Sequence, residues 1–214
     1  MILKKIQDQL ETFYRIELKY NVEDFIISNP STASTIQKKI GSRFAQEALF
    51  IKQTSGEMEV GLYVDEKILA HLQEHNPYQH FGSHNLNAFC IATEGVSHFL
   101  YLLRRAEIGN PVTQLELELQ AEIDKYLMTV LLFYSQDGKI PEFLFSSLFE
   151  NFMWDKNLTE TETARYKEAN RLAMKFCFYL ESHFVRCAKW DRLFDTARQF
   201  YHLNHWSKIR QLTP

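Results

Sequence analysis

The chain has 214 residues, 45% hydrophobic and 24% charged, with 24 Lys and Arg against 27 Asp and Glu for a net charge of -3. That balance excludes a disordered chain and removes the general electrostatic reason to expect nucleic acid or an anionic membrane as partner. Only seven Gly and five Pro punctuate it, while 17 Phe and 10 Tyr make its apolar content unusually aromatic, so long helices around a sizeable core are expected.

In chain order, Ile2, Ile6, Leu10, Phe13 and Leu18 keep an approximate helical period over residues 1–20. The opening "MILKKIQDQLETFY" turns charged after three residues and lacks the apolar stretch of a signal peptide. No later run approaches the roughly 18 apolar residues of a membrane span. "SNPSTAS" at 28–34 reads as a loop and "STIQKKIGSRF" as a short helix. "EALFIKQ" and "EMEVGLYV" flank "TSG", predicting a β-hairpin near 47–64. "DEKILAHLQEH" at 65–75 is a helix opened by Asp65 and closed before Asn76-Pro77, and "YQHFGSHNLN" is a loop.

Helices then follow one another. One covers about 85–107 and stops at Gly109 and Pro111; Thr113 and Glu116, at capping-box spacing, open a second that lasts to about 135. "PEFLFSSLFENF" is a short aromatic helix with Pro141 in its first turn. Residues 157–189 form the longest helix, acidic at its start and basic at its end, and "WDRLFDTARQFYHLNHWSKIRQL" the last. The expectation is a mainly α protein, a single helical-bundle-like domain over 1–214 with a small N-terminal β-hairpin. Residues 1–80 are its mixed portion and 85–214 its bundle, and a boundary near 80 is the alternative.

Cys90, Cys177 and Cys187 form no CxxC pair and are odd in number; they read as core thiols of a cytoplasmic protein. At about 100° per residue, Asn87, Cys90, Glu94, Ser97, His98, Tyr101, Arg104 and Arg105 share one face of the 85–107 helix. Glu94 is its only fixed charge before residue 104, which predicts a half-buried face. In an antiparallel pair with the following helix, residues whose numbers sum to about 221 lie level. His98 is then level with Glu122 or Ile123, and Arg105 with Glu116. The face of Glu94, Ser97, His98, Tyr101 and Arg105, with Glu122 opposite, is thus expected to form a semi-buried pocket or interface.

The same residues offer a metal site. Glu94 and His98 stand at i and i+4, as do Glu118 and Glu122, and imidazole with carboxylates suits Zn, Fe or Mn. Di-iron bundles use Glu-x-x-His on two helices, and helical nucleotide pyrophosphohydrolases use paired Glu-x-x-Glu and Glu-x-x-Asp; the chain has neither pattern. A further candidate is the C-terminal segment, where Arg198, His202, His205, Trp206, Lys208 and Arg210 interleave bases and an aromatic ring as RNA-binding surfaces do. The Arg198-to-His205 spacing resembles the Arg-x(4-6)-His element of HEPN-type helical ribonucleases, which implies action on a scissile phosphate. His71, His75, His80 and His84 lie within 14 residues at irregular spacing and match no zinc template.

The leading expectation is a cytoplasmic helical binding or interaction module, its aromatic surplus suiting a protein partner or homodimer. The alternatives are a metal-dependent helical enzyme using Glu94, His98, Glu118 and Glu122, and an RNA-acting protein using Arg198 and His205. No membrane partner is expected.

Overall fold

Apolar residues surround all but one face of the segment Ser83–Glu107, and in the computed structural model this segment, α4, is the central helix. The structure describes residues 1–39, 45–54, 57–150 and 158–213. By length and composition α4 could cross a membrane, but 78% of its most apolar window is buried inside the protein, as in a core helix. Gly109, at φ 68, and the loop to Thr113 return the chain antiparallel as α5 (Gln114–Asp137). The expected capping box opens α5: Thr113 Oγ1 accepts from Glu116 N at 3.1 Å, and Glu116 Oε2 from Thr113 N at 3.2 Å.

Around this pair stand α1 (Ile2–Tyr14), α3 (Glu66–Glu74), α7 (Glu160–Leu180), α8 (Trp190–His202) and α9 (His205–Leu212). The stripe Ile2, Leu3, Ile6, Leu10, Phe13 and Tyr14 turns α1 onto α4 and α8. Short α6 (Phe143–Phe149) packs on α7, and α7 lies along α5. One connected core of buried side chains reaches from Ile2 to Leu212.

The hairpin pairs β1 (Glu47–Thr54) with β2 (Glu57–Val64) in register Glu47 to Val64 through Thr54 to Glu57; Ser55 and Gly56, which the expected Gly turn includes, lie outside the described residues. Leu62 and Val64 join the main core, whereas Phe50 and Tyr63 close over Ala33 of α2 (Pro30–Lys39) in a small satellite. A Cβ on Gly95 of α4 would stand 2.9 Å from Glu47 Cγ and 3.1 Å from Leu62 Cδ1. The bare glycine thus lets the hairpin seat directly on the central helix, with Glu47 at the contact.

Several elements depart from the sequence expectation: α4 begins at Ser83, inside the expected 78–87 loop, and Pro141 lies ahead of α6 instead of in its first turn. The "NPS" at 29–31 is a helix start, because Asn29 Oδ1 accepts from Ser31 N at 2.9 Å and Pro30 sits in the first turn, so α2 covers part of the expected loop; residues 40–44 of the expected short helix lie outside the described residues. The 157–189 helix leaves α geometry after Leu180 for one π turn, Glu181–Val185, and turns at Ala188 with φ 51. The last helix is two, because Asn204 accepts from Ser207 N at 2.9 Å and starts α9 afresh. Residues 151–157, which close the expected short aromatic helix and open the next, are outside the described residues. Cys90 and Cys177 are buried thiols, but Cys187, in the turn after the π segment, is exposed and is no core thiol.

Candidate functional site

The polar face of α4 serves two separate clusters. The deeper one joins both chain ends to the α4–α5 pair. Ser97 donates to Asp124 Oδ2 at 2.5 Å, Tyr14 to Asp124 Oδ1, and Gln120 Nε2 to Asp124 Oδ1 at 2.9 Å. Lys208 of α9, fully buried, donates to Gln120 Oε1 at 2.7 Å and lies 4.4 Å from the Tyr101 ring centroid. Tyr101 donates to Glu116 Oε1 at 3.1 Å, and Arg105 Nη2 stands 3.8 Å from the same atom. Burial raises Asp124 to about 6, against the pull of its donors, and lowers Lys208 to about 7. This network ties α1, α4, α5 and α9 together internally.

The outer cluster lies where the hairpin meets α4. His98 is 7% exposed. Its Nδ1 stands 3.3 Å from Oε1 of Glu47, a carboxylate oxygen that accepts the Nδ1 proton. Nε2 stands 3.5 Å from Glu118 Oε2 yet makes no hydrogen bond, leaving a buried ring nitrogen without a hydrogen-bond partner. Glu94, His98 and Glu118 each place one ligand atom within 4.8 Å of the others.

Two cations hold the carboxylates from behind. Lys125 Nζ lies 3.0 Å from Glu94 Oε2 and 2.8 Å from Glu122 Oε1, and Arg165 Nε of α7 lies 3.7 Å from Glu118 Oε1. Burial disfavours the imidazolium of His98, but the adjacent carboxylates Glu47 and Glu118 overcome it and hold the ring well above its ordinary 6.5. Burial also works against ionised Glu94, and Lys125 and His98 pull it below its usual range. Glu47 and Glu122 are pushed up by burial. A cavity of about 400 Å³ reaches Glu94, Glu122 and Lys125 between α4, α5 and α6. Asn87 and Cys90 line it too, and burial pushes the Cys90 thiol up to about 12, far from a reactive thiolate.

Of the sequence candidates, Glu94, His98 and Glu118 come together, while Ser97, Tyr101 and Arg105 belong to the deeper network. The level rule places Ser97 against Asp124 and Arg105 against Glu116. His98 turns toward the hairpin and meets Glu118 instead of the level Glu122, which faces Lys125. Glu47, Lys125 and Arg165 were missed. Glu47 and Arg165 come from elements far apart in sequence, but the Glu122-to-Lys125 spacing on one helix was visible.

The C-terminal candidates are not all at the surface. Lys208 points inward, contrary to a phosphate-contacting role. Arg198 Nε donates to Phe13 O at 2.5 Å and its guanidinium lies over Phe194, whereas His205 Nδ1 lies 3.3 Å from Thr113 Oγ1 and 3.5 Å from Glu116 Oε2. Arg198 and His205 thus have no common neighbour among these contacts. His202, Trp206 and Arg210 are exposed. Comparison of the chain with protein-family models, with curated proteins and with solved structures finds no match.

Proposed function

We propose that the protein binds a divalent cation through Glu94, His98 and Glu118, and through it a small polar ligand in the adjoining cavity. The observation that carries this reading is His98: its Nδ1 is held by Glu47, while its buried Nε2, which makes no hydrogen bond, faces Glu118 at 3.5 Å in the cluster that Glu94 completes. Metal-binding histidines recurrently use this division, one nitrogen fixed by a carboxylate and the other on the ion. Lys125 and Arg165 orient the acidic ligands from behind in the same manner.

One imidazole and two carboxylates favour Mn²⁺, Fe²⁺ or Zn²⁺, and three protein donors leave further positions for water or a ligand oxygen. Glu122 is not a ligand in this reading; its partner is Lys125. In this reading the binding role expected of the module falls to the cavity beside Glu94, and buried thiols at Cys90 and Cys177 accord with cytoplasmic residence.

Thermal unfolding with Mn²⁺ tests the proposal. At about 100 times its dissociation constant, an ion bound only by the folded state adds about 2.7 kcal/mol and raises Tm accordingly. Glu94→Gln and Glu118→Gln, near-isosteric changes, are expected to abolish the rise. An unchanged Tm in the wild type, or an equal rise in both variants, contradicts the assignment.

A further inference from the structure

The chain's fold does something with histidine that its spacing hides. His71 at the end of α3, His75 and His80 in the following turn, and His84 in the first turn of α4 gather on one surface. Ring centroids stand 4.7 Å apart for His71 and His75, 5.7 Å for His75 and His84, and 5.5 Å for His80 and His84. We propose that this cluster is a surface site for an imidazole-preferring transition-metal ion of the Zn²⁺ or Ni²⁺ kind, independent of the α4–α5 centre.

Ring spacing is the first argument. Two imidazoles bound tetrahedrally to one ion through bonds of about 2.0 Å have their ring centroids roughly 5 Å apart. The three observed separations are of that order, although His80 and His84 are stacked, so the rings stand close enough for side-chain rotation to bring their nitrogens onto one ion. Protonation is the second. A backbone carbonyl only accepts, so the 2.9 Å contact of His71 Nε2 with His84 O puts the proton on Nε2 and leaves the Nδ1 lone pair for an ion.

The third argument is the backbone beneath the rings. Fully buried Asn85 donates from Nδ2 to His75 O at 3.0 Å and to His80 O at 2.9 Å, and accepts from Gly82 N at 3.0 Å. Gln136 of α5 donates to Pro77 O at 2.7 Å and accepts from Phe81 N at 2.8 Å. Two side-chain amides therefore fix the loop that carries the histidines, a degree of preorganisation that binding sites need. The ring nitrogens do not converge as placed. His75, His80 and His84 are exposed, so convergence takes side-chain rotation and leaves the backbone where it is.

The test is equilibrium dialysis of the full-length, tag-free chain against Zn²⁺ and, separately, Ni²⁺, with Co²⁺ absorption reporting coordination geometry. The variant His75→Asn/His84→Asn alters exposed side chains alone and keeps the His84 carbonyl that His71 uses; far-UV dichroism checks that it folds. We expect saturable uptake in the wild type, weakened roughly tenfold or more in the double variant. Uptake is expected to persist in Glu94→Gln and Glu118→Gln, which disable only the inner centre. The proposal is overturned if Zn²⁺ and Ni²⁺ show no saturable uptake, if the double variant binds as the wild type does, or if Glu118→Gln alone removes all uptake.

Discussion

Lys208 shows how far one residue's placement departs from what its type suggests. Read among Trp206 and Arg210 it is a solvated base, yet it is fully buried with its amine on Gln120 and over the Tyr101 ring. Burial depresses it from 10.5 to about 7. A lysine with a depressed folded value contributes stability that is present above 10.5 and lost as pH falls through about 7. The stability advantage of the wild type over Lys208→Met is therefore expected to grow by about 2 kcal/mol between about pH 7 and pH 9, measured by urea unfolding. A difference that does not change with pH would show that the amine stays charged. Asp124 titrates in the opposite sense: raised from 3.8 to about 6, its contribution is present below 3.8 and lost as pH rises through about 6. His98 follows the same rule at higher pH, its stabilising charge present below 6.5 and lost as pH rises through its raised folded value. A helical wheel could place Ser97, His98 and Tyr101 on one face, because that depends only on the period of the helix. Whether Lys208 points in or out depends on the restart of α9 at Asn204, whose capping role lay hidden inside an otherwise helical pattern.

At the scale of elements, the site depends on how the hairpin meets α4. Glu47 reaches His98 because Gly95 offers no side chain between them. Gly95→Ala would gain about 1 kcal/mol of helix propensity, but overpacking against Glu47 and Leu62 costs about 1 to 3 kcal/mol. We expect a net loss of about 1 kcal/mol in urea unfolding, and stabilisation by the same amount would mean that the hairpin yields freely. Strand alternation and the Gly turn announced this hairpin, and Thr113 and Glu116 announced the start of α5. Neither signal says which helix a hairpin rests on, since that is decided by tertiary contacts of Leu62 and Val64 with the core. Glu47 was invisible as a site residue for that reason. The π turn at Glu181–Val185 was equally hidden, because its residues keep the composition of an ordinary helix.

Across the whole molecule, the two ends of the chain converge on the α4–α5 pair, Tyr14 through Asp124 and Lys208 through Gln120. The mainly helical architecture with its N-terminal hairpin was legible from periodicity and turn residues, which act locally. The division of polar residues into an inner network and an outer His-carboxylate cluster was not, because it needs elements that sequence separates by tens of positions. The outer cluster's chemistry gives the central claim a direct measurement. An ion that takes His98 Nε2 must displace the extra proton that Glu47 and Glu118 stabilise on the ring. Calorimetric titration with Mn²⁺ near pH 7 in buffers of different ionisation enthalpy reads ion count and proton release together. One Mn²⁺ per chain with net proton release, both lost in Glu118→Gln, is the predicted result. No saturable uptake, or uptake that releases no proton and survives in Glu118→Gln, would contradict it.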